Sequence, residues 1–150
     1  MTHPRAEAFA RRSVLVTGHT GFKGSWLSIW LHSLGARVSG YSLAPSTDPS
    51  NFVASSVRPL LAEHHEADIR DYERLAKAIK SAEPDVIFHL AAQPLVRESY
   101  RTPRETIEAN VMGTTNLLEA VRQMGRPCTV RPISITRARV EARTLSSRSS

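Results

Sequence analysis

Val14-Leu-Val-Thr-Gly-His-Thr-Gly-Phe-Lys-Gly-Ser-Trp26 is the stretch whose reading decides the fold. Val14, Leu15 and Val16 make an apolar, β-branched run too short for a helix, which predicts a buried strand. Glycines follow at 18, 21 and 24, and a helical apolar pattern begins at once. A turn of this kind suits a pyrophosphate. Gly18 lets the chain leave the strand sharply, Gly21 lets backbone approach a phosphate, and Gly24 lets the helix lie close to the sheet. The first turn of that helix then offers unpaired N–H groups and the positive end of its dipole.

Outward from this turn, a helix is expected from about Gly24 to Leu34. Trp26, Leu27, Trp30, Leu31 and Leu34 form its apolar face, so both tryptophans are expected in the core. Gly35 closes it, and Arg37 to Leu43 alternates as a second strand. Strand, helix and strand in about 30 residues are a parallel crossover unit. Residues 44–60, with Pro45, Pro49 and Pro59, read as a surface loop. A third strand over His64 to Ala67 delivers Asp68-Ile69-Arg70 to its carboxyl end. Asp71 caps the next helix, which buries Leu75, Ala78 and Ile79 and ends near Ser81. After Pro84, the run Asp85 to Ala92 predicts a central strand covered on both faces. Gln93 and Pro94 open a loop, and a long helix runs from about Pro103 to Gln123.

The order is that of an α/β, doubly wound parallel sheet, in which ligands sit beyond the carboxyl ends of the strands. Those ends place Thr17 to Gly24, Tyr41 to Leu43, Asp68 to Arg70 and Ala91 to Val96 together. A fifth strand starts at Cys128, Thr129 and Val130, but Pro132 would remove a ladder hydrogen bond and the nearby arginines would be buried. The sheet is therefore expected to stop after about four strands. Residues 1–12 read as a disordered leader, 13–127 as the folded domain and 128–150 as an aberrant, basic, disordered tail.

The formal charge of +6 is misleading about partners. Residues 126–150 hold six arginines and one acid, which leaves a net charge of +1 for residues 1–125. The tail has neither aromatics for base stacking nor an amphipathic stripe, so neither nucleic acid nor a membrane is an expected partner. No apolar run approaches a membrane span, Arg11-Arg12 lacks an export-signal core, and the lone Cys128 excludes an internal disulfide. A cytoplasmic protein is expected. His19 reads as a solvent-facing turn residue. His64 and His65 point to opposite faces of a strand, and with His89 they lack a carboxylate or thiol at ligand spacing, so no metal site is expected.

The motifs Val14 to Trp26, Asp68-Ile-Arg-Asp71, His89-Leu-Ala-Ala-Gln-Pro-Leu-Val-Arg97 and Asn110-Val-Met-Gly-Thr114 occur in one order. Together they resemble the extended short-chain dehydrogenases/reductases that act on nucleotide sugars, and most of all the CDP-glucose 4,6-dehydratases. The resemblance covers about residues 13–127 and implies a partial NAD(P)-binding Rossmann domain. It implies that Gly18, Thr20, Gly21, Phe22, Lys23 and Gly24 surround the pyrophosphate. It places Asp68 and Ile69 at the adenine, with the Asp68 carboxylate accepting from the exocyclic amine. Leu90, Ala91, Ala92 and Gln93 pass under the ribose and nicotinamide, and Asn110 supports the site from behind. It also implies a sugar-nucleotide substrate and a homo-oligomer. In such enzymes NAD takes a hydride from C4 of the sugar, water leaves across C5–C6, and the hydride returns to C6.

Two departures limit the carry-over. An acid about 20 residues past the glycines is expected to hold the ribose hydroxyls, yet the second strand ends Gly40-Tyr41-Ser42-Leu43. The choice of NAD follows from the resemblance, NADP is not excluded by the residues, and Arg58 is a weakly placed partner for a 2′-phosphate. Moreover, no tyrosine (41, 72 or 100) has a lysine four residues on. No catalytic residue is therefore assigned. The expectation is the cofactor half of a nucleotide-sugar dehydratase, inactive alone, with a non-catalytic dinucleotide-binding module or a nonfunctional truncated product as alternatives. The tail from about Arg131 reads as a frameshifted terminus.

Overall fold

β1 (Ser13–Thr17) runs through the middle of a five-stranded parallel sheet ordered β3-β2-β1-β4-β5. A computed structural model describes residues 8–93 and 96–132. The other strands are β2 (Arg37–Ser42), β3 (Glu63–Glu66), β4 (Val86–His89) and β5 (Thr129–Pro132). The helices are α1 (Phe22–Ser33), the single turn α2 (Asn51–Ala54), α3 (Tyr72–Ala82), α4 (Val96–Arg101), α5 (Pro103–Ile107) and α6 (Gly113–Met124). The doubly wound sheet expected from the sequence is present, and the order in which strands are added reverses between β1 and β4 while all strands stay parallel.

Alternation along β1 divides the core. Leu15 faces one side with Tyr41 and Ile87, covered by Leu75, Ala78 and Ile79 of α3 and Leu117, Ala120 and Val121 of α6. Val14 and Val16 face the other with Val38 and Val86, covered by Leu31 of α1 and by Phe52, Val57 and Leu61. Each fully buried side chain of this size contributes about 1.5–3 kcal/mol of transfer free energy. Asp71 caps α3 by accepting from the Arg74 N–H, as its position implies. Among the described residues no helix is long and apolar enough to cross a membrane.

Five expectations need correction. Trp26 and Trp30 are 52% and 48% exposed, because α1 approaches the sheet on Gly24, Ser25, Ser28 and Leu31. Small residues allow that close approach; indoles would hold the helix away. The 44–60 loop contributes to the core through Phe52 and Val57. Within the leader, Phe9 packs on Trp30 and Phe88, and the Arg11 N–H bonds the Gly35 carbonyl at 2.9 Å; residues 1–7 lie outside the described residues. The strand expected over Asp85 to Ala92 pairs only over Val86–His89. Finally, β5 adds a strand to the four expected, since Pro132 is its last residue and Thr129 and Arg131 are exposed at the sheet edge. The tail reading from 133 onward lies outside the described residues.

The exposure difference on α1 sets a measurable contrast. Leu31→Ala is expected to cost about 2–5 kcal/mol in urea unfolding, and Trp26→Ala far less than the about 3–5 kcal/mol of a core tryptophan. Equal losses would contradict the described packing.

Candidate functional site

Three turns line the carboxyl edge of the sheet. The first joins β1 to α1. Gly18 has φ +75°, and a Cβ there would lie 2.8 Å from the Ala91 nitrogen. A Cβ on Gly24 would lie 2.2 Å from the Gly18 carbonyl oxygen, so the helix starts directly against the strand end. Gly21, by contrast, is exposed, and the closest atom to a Cβ there is 3.4 Å away. It stands at the N-cap of α1, where no side chain caps the helix and no acid occupies the first turn. The first-turn N–H groups and the dipole are therefore left to an anion, and Lys23 is exposed beside them. These residues fit a pyrophosphate.

Thr20 serves the turn from inside. Its hydroxyl lies 2.8 Å from the Ser42 hydroxyl and donates to the Leu43 carbonyl at 2.8 Å, tying the turn to the end of β2. Phe22 is 70% exposed. His19, expected to face solvent, is fully buried. Its Nε2 lies 2.8 Å from His64 Nδ1, its ring meets Phe52 edge-on, and Gly40 supplies the space, since a Cβ there would strike the imidazole at 2.5 Å. Burial, then the neighbouring His64, push its pKa down to about 3. His64 and His65 do face opposite ways: His65 lies against Tyr41 and bonds Glu63. Among the described residues no group of three or more His, Cys, Asp or Glu could hold a metal ion.

The second turn follows β4. The Leu90 and Ala91 N–H groups both donate to the Thr17 hydroxyl at 3.2 Å. With its acceptor sites taken, that hydroxyl gives its proton to His89 Nδ1 at 2.7 Å. His89 is thereby the Nε2–H tautomer and donates to the Thr114 hydroxyl at 3.0 Å, which donates to the Asn110 carbonyl at 2.7 Å. Asn110 then grips Gln93, accepting from its N–H at 2.7 Å and donating to its carbonyl at 3.3 Å. The long helix expected over 103–123 is interrupted to allow this. Residues Glu108–Met112 form a π-helical turn, and Asn110 is at its centre. Burial lowers the His89 pKa to about 4, in keeping with a neutral ring.

The third turn follows β3. The Asp68 carboxylate accepts from the Arg70 backbone N–H at 2.8 Å and from its guanidinium at 2.6 Å, and the arginine holds its pKa below the usual carboxylate range. Ile69 turns its side chain into the core against Gly113, so only its backbone lies at the rim. The turn is fastened from beneath by the Tyr41 hydroxyl, donating to the Asp68 carbonyl at 2.8 Å, and from above by Asn116. Thr17 and Tyr41 belong to the strand-end stretches that the sequence marks, but His89, Thr114 and Asn116 carry no site role in that reading. A lone histidine in a strand buried on both faces was the available signal, since such a ring needs partners. Cys128 is half-buried with its thiol pushed up to about 11, which removes it as a nucleophile.

Comparison with known proteins gives one consistent result. A family model described as GDP-mannose 4,6 dehydratase matches residues 15–136. The CDP-glucose 4,6-dehydratase of Salmonella typhimurium is 54% identical over 114 residues, which are 76% of this chain and 32% of that protein. A GDP-mannose 4,6-dehydratase of Yersinia enterocolitica is 33% identical, over 76% and 32%. Among solved structures, the UDP-glucose 4-epimerase of Thermus thermophilus in complex with NAD superposes with a TM-score of 0.63 at 34% identity, over 75% of this chain and 34% of its own. That of Stenotrophomonas maltophila, with bound NAD and formylated UDP-arabinopyranose, gives 0.66 at 29%, over 77% and 34%. The chain thus spans about a third of the length of these relatives.

The two buried imidazoles set a pH dependence. Unfolded histidine binds its proton near pH 6.5 (about), whereas His89 and His19 in the fold do so only at about 4 and about 3. Between those values the unfolded state binds more protons, so stability is full above about pH 6.5 and falls on acidification, by at most about 1.4 kcal/mol per pH unit for each histidine. Urea midpoints at pH 7, 5.5 and 4.5 should show this fall, and His89→Gln should make it shallower, leaving the part due to His19. A midpoint independent of pH across that window would contradict the neutral, buried rings.

Proposed function

The chain belongs to the GDP-mannose 4,6-dehydratase family, and we propose that it is the N-terminal, dinucleotide-binding part of a nucleotide-sugar 4,6-dehydratase of the CDP-glucose kind. The observation that carries this reading is the uncapped N-terminus of α1, set against Gly18 with neither side chain nor acid in the way. Gly18, Gly21, Phe22, Lys23 and Gly24 would line the pyrophosphate, with Thr20 bracing their turn. Asp68 and the Ile69 backbone would take the adenine. Leu90, Ala91, Ala92 and Gln93 would lie along the ribose and nicotinamide. A nicotinamide dinucleotide supplies hydride acceptance and return. The residues of this chain bind and orient it: Thr17 fixes the Leu90 and Ala91 amides, and Asn110 fixes Gln93 on both sides.

NAD is the cofactor of this reading, with NADP as the comparison. Ser42, not an acid, ends β2, and its hydroxyl is engaged with Thr20. Turnover is not part of the reading. None of Tyr41, Tyr72 and Tyr100 has a lysine four positions on, so a base for C4 oxidation is missing from this sequence. A nucleotide sugar such as CDP-glucose is the substrate of the complete enzyme, and the setting is cytoplasmic.

Calorimetric titration with NAD and with NADP tests the reading. Saturable binding of NAD is expected, and Gly21→Val should abolish it with the thermal midpoint nearly unchanged, because the space beside Gly21 is open in the fold and is filled only by the ligand. An unaltered affinity in Gly21→Val, or a wild-type chain that binds neither dinucleotide, would refute it. Incubation with CDP-glucose and NAD should yield no 4-keto-6-deoxy product; its appearance would refute the assignment of a binding part without turnover.

A further inference from the structure

The turn after β3 is shaped by side chains from elsewhere in the fold. Tyr41, wholly buried on β2, donates its hydroxyl to the Asp68 carbonyl. The next two carbonyls, of Ile69 and Arg70, both accept from Asn116 Nδ2, at 3.3 and 3.1 Å. Asn116 sits on α6, whose first residue, Gly113, lies so close to Ile69 that a Cβ there would meet its Cγ2 at 2.5 Å. The π-helical turn ahead of α6 adds Glu108, 3.7 Å from Arg70 Nη1. One helical element thus holds two consecutive residues of a short turn, Ile69 and Arg70, while Tyr41 of β2 holds the residue before them.

We propose that Asn116 is a positioning residue for purine recognition, its carboxamide holding the 68–70 turn in the shape that presents the Asp68 carboxylate to the amine of an adenine. The inference rests on the dinucleotide-binding reading above. Asn116 holds the backbone and not the carboxylate, so the aim of Asp68 depends on it without direct contact. Arg70 grips the same carboxylate through its own N–H and its guanidinium, but Nε splits one hydrogen between the two oxygens at 3.1 Å each. A lone pair therefore remains for a donor arriving from outside, and the arginine keeps the group ionised. Loss of the Asn116 clamp frees two carbonyls and lets the turn rotate. The carboxylate then loses its registration, while the glycine turn and the Gln93 turn, held by other groups, keep theirs.

The test compares NAD with its hypoxanthine analogue, which carries a carbonyl where adenine has the amine, on the full chain by calorimetry. The wild-type chain is expected to prefer NAD by at least about tenfold, the magnitude of one hydrogen bond to a charged group. In Asn116→Ala the preference should shrink to about twofold or less, with NAD weakened and the analogue nearly unaffected. Asn116→Ser, which keeps a short donor, should recover part of the preference, and it serves as the working variant if Asn116→Ala does not fold. Equal weakening of both ligands would reduce Asn116 to a structural residue and overturn the proposal. So would an unchanged ratio, or a wild-type chain that binds both ligands equally. A wild-type chain that binds neither overturns the dinucleotide-binding reading itself, and this inference with it.

Discussion

Between Gly18 and Gly24 there is no room for a side chain. The Gly18 carbonyl stands where a Cβ on Gly24 would be, at 2.2 Å, and the Ala91 nitrogen stands 2.8 Å from a Cβ on Gly18. The rest of the site depends on this packing of backbone on backbone. It lets α1 begin at the strand end, places its uncapped N-terminus over the sheet edge, and puts the β4 turn in contact with the β1 turn. Any larger residue would separate the strand end from the helix and disperse the N–H groups.

A second set of contacts coordinates the three turns. The π-helical turn and α6 reach the β4 turn through Asn110 and Thr114, and the β3 turn through Gly113 and Asn116. Thr17 joins the β1 turn to the same network through His89. The chain of hydroxyl, imidazole, hydroxyl and carbonyl runs in one proton sense, because Thr17 must accept twice before it donates. A neutral His89 satisfies every member, whereas a charged one would bring an unpaired proton into a buried strand. The structural histidine and the three turns are thus parts of one arrangement.

Most of the scaffold was legible from patterns with a single physical reading. Val14 to Val16 can be a buried strand and little else, Asp71 before an amphipathic run is a cap, and glycines at 18, 21 and 24 between strand and helix are a tight strand-to-helix turn. Residues whose environment depends on distant chain were misread. Trp26 and Trp30 have helical spacing and large apolar area, yet small residues won the contact with the sheet because they allow a shorter approach. His19 looked solvent-facing as a polar residue in a turn. It is buried because Gly40, 21 residues away, leaves a hole for its ring. Pro132 argued against a fifth strand, but at the end of an edge strand it leaves the earlier ladder bonds intact.

Sequence alone determined the order of the first four strands and the helices that join them, the parallel sheet and the glycine turn, since these follow from local periodicity and from the few conformations glycine and capping residues adopt. It also determined that no tyrosine is followed by a lysine at the spacing a catalytic pair would need. Tertiary structure decided which polar groups meet. Thr17 with His89, Asn110 with Gln93 and Asn116 with the Ile69 and Arg70 carbonyls are 72, 17, 47 and 46 residues apart. A hydrogen bond needs its partners placed within a few tenths of an ångström, and that placement comes from the packing of α6 and the sheet, not from spacing along the chain.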